Sequence, residues 1–215
     1  AGTDCSMGII PVGSGNGLAR HFQIPLNPTK ALDIVHTGKQ IKMDAASVNN
    51  HQFFCTSGTG FDAHIGNVFA QSTSRGFSTY FKSTVREFLS YKSHNYKITI
   101  DGKILEREAF LITVANASQY GNNAYIAPEA KTDDGLLNLV ILKPFPFLAA
   151  PFLGLDLFRK RMSKNRYVET LKGKEIYIER TGNEAIHIDG EPLNGEGNLH
   201  FSVQPKQLNL IVPNN

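Results

Sequence analysis

Apolar and polar residues follow two different periods along this chain, and the change near Gln40 divides it. Before that point, Gly8 to Val12 is a short apolar run bounded by glycines, the pattern of a buried strand. It stops in Gly13-Ser14-Gly15-Asn16-Gly17, and an apolar helical face of Leu18, Ala19 and Phe22 follows, with Asn16 placed as its N-cap. A second helix is predicted from Asn27 as cap and Pro28 as first residue, through Ala31, Ile34 and Val35 on one face, to Gly38 as its stop. Beyond Gln40 the period becomes two. Ile41, Met43, Ala45 and Ser47 alternate with Lys42, Asp44 and Ala46, Asn49-Asn50 turns the chain, and Phe53 to Cys55 returns it.

The same alternation predicts Tyr96 to Ile100, turned by Asp101-Gly102 into a hairpin partner around Ile104 and the run Phe110 to Val114. Further strands are predicted at Leu136 to Leu142, Glu175 to Glu179, Ala185 to Ile188, Leu199 to Val203 and Leu208 to Val212. Helical spacing interrupts them over 60–70 and 78–90. Short strands at this density favour a sandwich or barrel-like domain. Pro144 to Phe158 is apolar and runs into Arg159, Lys160, Arg161, Lys164 and Arg166. Such a segment is either an amphipathic face able to touch anionic lipid or a core helix with a solvated basic end.

Composition adds limits. With 215 residues, 41% of them hydrophobic and 19% charged, the chain is long enough for a core without staples. A net charge of +3 is only mildly basic and has no concentrated stripe, so no nucleic-acid partner is expected. Two cysteines without metal or redox spacing point to a reducing, cytoplasmic setting. There is no apolar run of membrane-spanning length. The seven histidines have no ligand spacing and receive no role.

The glycine loop carries the first chemistry. Glycines at 13, 15 and 17 let the backbone turn tightly and present bare amides, as phosphate-binding turns do. Neither the dinucleotide fingerprint nor the P-loop spacing is met. However, Pro11-Val12-Gly13-Ser14-Gly15-Asn16-Gly17-Leu18-Ala19-Arg20 resembles the second nucleotide-binding motif of the diacylglycerol kinase and sphingosine kinase superfamily. Gly58-Thr59-Gly60-Phe61-Asp62-Ala63, Asp134-Gly135-Leu136 and Ile188-Asp189-Gly190-Glu191-Pro192-Leu193 match further family stretches in the same order, closest to the bacterial soluble members.

The resemblance implies an α+β chain: residues 1–39 as the remnant of an N-terminal α/β nucleotide-binding domain, then a mostly antiparallel β-sandwich with a few helices over 40–215. It implies an ATP-dependent lipid kinase acting on a membrane lipid with a free hydroxyl, with peripheral membrane contact. The family's Gly-Asp-Gly-Thr motif is expected upstream of Ala1-Gly2-Thr3-Asp4, which makes this the C-terminal portion and inactive alone. By the same resemblance, Gly13, Ser14, Gly15 and Asn16 bind ATP. Glu191 is the proton acceptor, with Asp189 as a supporting or metal-linked partner, and Asp62 is a substrate contact. A structural Mg2+ would be held by the Asp134 side chain with the main-chain carbonyls of Lys131 and Leu136, a donor set that suits a hard cation. The alternatives are a non-catalytic lipid-binding module and a NAD kinase-like enzyme with a soluble substrate.

Overall fold

A computed structural model of the chain describes residues 1–71, 86–88, 90–180, 182, 184–193 and 197–214. Apart from the helical residues 86–88 and 90, the helix predicted over 78–90 lies outside them. The chain opens with strand β1 (Ser6–Met7), helix α1 (Gly17–His21) and helix α2 (Pro28–Thr37). Strands β2 (Lys39–Val48), β3 (His51–Phe53) and β4 (Thr56–Gly60) lead into α3 (Phe61–Gln71). Then come β5 (His94–Ile100), β6 (Lys103–Ala109), β7 (Leu111–Ala115) and β8 (Leu137–Leu142), followed by a 3-10 turn, Phe147–Ala149, and α4 (Ala150–Phe158). The chain closes with β9 (Val168–Gly173), β10 (Glu175–Glu179), β11 (Ile186–Ile188), β12 (Glu191–Leu193) and β13 (Leu199–Val212).

The strands form a β-sandwich of two sheets. One runs β3-β2-β13-β10-β5-β6 with β1 added in parallel to β13, and the other runs β12-β11-β4-β7-β8-β9. Ile98, Ile176, Ile178 and Phe201 from the first sheet meet Ile112, Val114, Leu139 and Ile141 from the second in the main core. Each such fully buried side chain contributes roughly 1.5–3 kcal/mol. Strand β8 is buried along its whole length. Leu137, Leu139 and Ile141 enter that core, while Val140 and Leu142 pack outward against Leu153 of α4 and Met162.

Two expectations are corrected. Gly8 to Val12 is irregular, with Val12 exposed, and the strand lies just before it, at Ser6–Met7 paired with Asn209 and Leu210. Pro11 has no amide to give a ladder, which disfavours a strand there. The last two predicted strands are one, β13, whose register on β2 shifts between Gln204 and Leu208, with Lys206 at φ 57°. Gly38 ends α2 as expected, at φ −75°. A Cβ there would lie 2.4 Å from the Val212 carbonyl oxygen, so packing demands the glycine.

The first 38 residues are fastened to the sandwich. Asn27 caps α2 as expected, its Oδ1 accepting from the Lys30 amide at 3.1 Å. Leu18 and Phe22 pack on Met43, Leu208 and Leu210. His21 Nδ1 accepts from the Ser118 amide at 3.2 Å and meets its hydroxyl at 2.8 Å, and burial holds the imidazole below its ordinary value, which favours this neutral, accepting form.

Candidate active site

The glycine loop is pressed against the sandwich, and this explains its glycines as well as any ligand would. A Cβ on Gly121, which sits at φ 128°, would come within 2.8 Å of the Gly15 Cα, so the two backbones touch. A Cβ on Gly17 would meet Cys55 Sγ at 3.0 Å and the Tyr120 carbonyl at 3.1 Å. Asn16 adopts a left-handed conformation at φ 51° and makes no cap bond, contrary to its reading as an N-cap. Its amide group instead closes on Gly13, accepting from the Gly13 amide at 3.0 Å and donating to the Gly13 carbonyl at 2.8 Å. Ser14 is left at the tip, exposed and without a hydrogen-bond partner among the described residues. Helix α1 has only five residues, so its dipole adds little.

Across from Ser14 lies Asp62, the second residue of α3. Its position follows from Gly60, which turns the chain at φ 109° where a Cβ would be 2.7 Å from the Leu111 Cα. Asp62 Oδ1 accepts from the Ala63 amide at 2.8 Å. Asp62 Oδ2 accepts from the Tyr120 hydroxyl at 2.8 Å and the Thr113 hydroxyl at 3.1 Å, and lies 3.1 Å from His187 Nε2. Burial first, and then the charge of Asp62, push the Tyr120 phenol well above its ordinary value, so it stays a neutral donor. His187 is buried and its Nδ1 has no partner among the described residues. The ring occupies space left by Gly58, whose Cβ would lie 3.1 Å from Nε2. Thr113, Tyr120 and His187 carry no spacing signal, and sequence reading missed all three. The one available hint was Gly58, a glycine inside a strand, which marks a close approach.

The third wall is the Asp189-Gly190 hairpin between β11 and β12. Both residues have positive φ, 49° and 91°, as a two-residue type I′ turn requires. The Asp189 side chain turns back under the hairpin, Oδ1 accepting from the amides of Cys55 at 2.7 Å and Thr56 at 3.0 Å, and Oδ2 from that of Phe54 at 2.9 Å. Burial away from water pushes its carboxyl above the ordinary aspartate value, and those three amides offset part of that rise. Glu191, one residue past the turn, is exposed, and its side chain forms no hydrogen bond or ion pair among the described residues. The two acids of one motif therefore stand in opposite surroundings.

These walls enclose a cleft of about 490 Å³ lined by Ser14, Asp62, Ile65, Tyr120, His187 and Gly190. Three of the sequence motifs converge there. The fourth does not: Asp134 lies on a separate surface turn, where Oδ1 accepts from the Leu136 amide at 3.1 Å and Oδ2 is 3.3 Å from the Lys172 ammonium. That turn is anchored from beneath by the fully buried Asp44, which accepts from the amides of Gly135 at 2.7 Å and Lys206 at 2.8 Å.

The model of the YegS C-terminal NAD kinase beta sandwich-like domain matches residues 56–212. The chain belongs to that family. The diacylglycerol kinase catalytic domain model matches residues 1–48, so the glycine loop and the YegS-type sandwich together place the chain in the diacylglycerol kinase and YegS superfamily. It is similar to a probable lipid kinase, YegS-like, of Yersinia enterocolitica, with 29% identity over 213 residues, covering 98% of this chain and 70% of the relative. A YegS-like probable lipid kinase of Serratia proteamaculans is 28% identical over 97% of this chain and 68% of its own length. The fold matches a diacylglycerol kinase structure from Bacillus anthracis with a TM-score of 0.69 at 21% identity, over 97% of this chain and 67% of that one. Among the described residues, no helix of this YegS-type chain is long and apolar enough to cross a membrane.

Proposed function

We propose that the chain carries the second nucleotide loop and the acceptor cleft of an ATP-dependent lipid kinase. The observation that supports this most is the convergence of Ser14, Asp62 and Gly190, from three separate motifs, on one cleft. What supports a phosphate here is the tip of the loop, where Ser14 is exposed and has no hydrogen-bond partner among the described residues, whereas the Gly13 amide is already held by Asn16 Oδ1 at 3.0 Å. Bound ATP supplies the transferable phosphoryl group. Ser14 and the loop backbone hold its phosphates. Asp62, its carboxyl group positioned by Thr113, Tyr120 and His187, accepts a hydrogen bond from the lipid headgroup. Glu191 takes the proton from the attacking hydroxyl as the new phosphorus–oxygen bond forms and the bond to the departing nucleotide breaks.

The test is transfer of label from γ-labelled ATP to diacylglycerol in mixed micelles. It is run on this chain and on the chain extended to the length of its relatives, of which it covers 70% in the Yersinia protein. Labelled lipid in the organic phase is expected from the extended protein. Label that reaches only NAD or water in both would overturn the reading.

We further propose that Asp134 holds Mg2+ together with the carbonyls of Lys131 and Leu136. The fit rests on the donor chemistry of one carboxylate with main-chain oxygens and waters, and on a turn already shaped by Asp44. The ion would replace the Lys172 ammonium as the counter-charge of Asp134 and stiffen the turn, away from the cleft. Magnesium chloride should raise the melting temperature of the native chain and leave Asp134→Ala unchanged. An equal rise in both would remove the assignment.

A further inference from the structure

The segment from Pro144 to Arg166 is not used by the cleft, and it does not behave as a core helix. Of α4, only Leu153 is buried. Leu148, Phe152 and Phe158 are 80%, 68% and 59% exposed, and Phe147 and Leu155 are exposed beside them. Leu148, Phe152 and Leu155 follow the i, i+4, i+7 spacing that puts side chains on one helical face, and that face is turned to solvent. Immediately after it come five cations in eight residues, Arg159, Lys160, Arg161, Lys164 and Arg166, without an acid among them. Lys160 lies over the Tyr125 ring and Arg166 over Tyr167, whereas Arg159, Arg161 and Lys164 have no carboxylate within ion-pair distance among the described residues. The one acid of α4, Asp156, is occupied by Asn165, whose side chain donates to it at 2.8 Å.

We infer that this face docks on an anionic phospholipid surface. The charge pattern selects that occupant. A second copy of this chain set on the face symmetrically would bring the cation cluster against itself, whereas an anionic bilayer accepts the apolar side chains among its acyl chains and the cations among its headgroups. The face also continues toward the cleft. Phe147 packs on Phe88 at 5.7 Å between ring centroids, and Phe88 packs on Phe61 at 5.7 Å, the residue before Asp62. An aromatic run thus connects the docked face to the acceptor site. The inference deepens the lipid-kinase reading, which it takes as its starting point, by naming the surface through which the enzyme meets its substrate's membrane.

The test is co-sedimentation of the chain with vesicles of phosphatidylcholine alone and of phosphatidylcholine with phosphatidylglycerol, at low and high salt. Binding should require phosphatidylglycerol and weaken as salt is raised. The triple change Arg159→Gln, Arg161→Gln, Lys164→Gln should lower partitioning about 10²-fold, at roughly fivefold per cation. Phe152→Ser with Phe158→Ser should lower binding at both salt concentrations. All five positions are exposed, and unchanged melting temperatures would confirm intact folds. Equal binding by wild type and both variants would overturn the inference, as would binding indifferent to phosphatidylglycerol. A concentration-dependent dimer that the phenylalanine changes abolish, without vesicle binding, would assign the face to a second copy instead. In the chain extended to the length of its relatives, transfer to a short-chain, water-soluble diacylglycerol should be unaffected by either set of changes. Its absence from the wild type as well, with vesicle binding intact, would count against the kinase reading and not against this surface.

Discussion

Glu191→Gln is expected to lower kcat of the active enzyme ~10²–10⁴-fold while leaving its melting temperature and its KM for ATP nearly unchanged. The size of the effect follows from the role proposed for Glu191, since a glutamine keeps the shape and hydrogen-bonding reach of the side chain but cannot take the hydroxyl proton. The insensitivity of the fold follows from the structure. The Glu191 side chain is exposed and has no partner among the described residues, and the residue belongs to β12 through its backbone pairing with Ile188. Steady-state kinetics with lipid and ATP varied in turn, beside a thermal melt, make the measurement. Full turnover by the variant would falsify the base assignment, and a large fall in melting temperature would show that Glu191 holds the hairpin.

Asp189→Ala should do the reverse, destabilising the fold by about 2–4 kcal/mol. The carboxylate that holds the amides of Phe54, Cys55 and Thr56 is lost, two of those amides belong to buried residues, and an unpaired buried amide costs ~1–3 kcal/mol. Alanine is also strained at φ 49°. For a chain of this size the loss corresponds to a melting temperature lower by roughly 10 °C. Asp189→Asn, which tolerates the left-handed backbone and keeps one acceptor oxygen, should recover part of it. Urea or thermal unfolding of the three proteins decides the matter. A stability within about 1 kcal/mol of wild type for Asp189→Ala would mean that water replaces the carboxylate at little cost.

The strands and α2 were largely legible in the residues. Glu175–Glu179 and the capped helix from Pro28 needed only local information: alternation for a strand with one buried face, and a cap oxygen three residues before an orphan amide. Strand β9 escaped because Glu169, Thr170 and Lys172 break its alternation, and its place is set by pairing with β8. The sequence alone leaves α4 open between an exposed face and a core helix, for the converse reason. An apolar helix reads the same whether it is covered or bare, and here only Leu153 is buried, with Leu157 packed partly against the same cluster.

The Asp-Gly turns separate the two kinds of knowledge most sharply. Asp101-Gly102, Asp134-Gly135 and Asp189-Gly190 are the same dipeptide, and each glycine takes the positive φ that makes it a turn former, at 85°, 68° and 91°. That much the residues determined by themselves, because backbone sterics act within a few bonds. What each aspartate holds was decided by tertiary structure: the amides of Lys174 and Glu175 for Asp101, the ammonium of Lys172 for Asp134, and the strand entering the cleft for Asp189. The network around Asp62 has the same origin, since Thr113, Tyr120 and His187 reach it only when β4, β7 and β11 lie side by side. A turn is a local property of the chain, whereas a site is made by hydrogen bonds of about 3 Å between groups that only folding brings within reach.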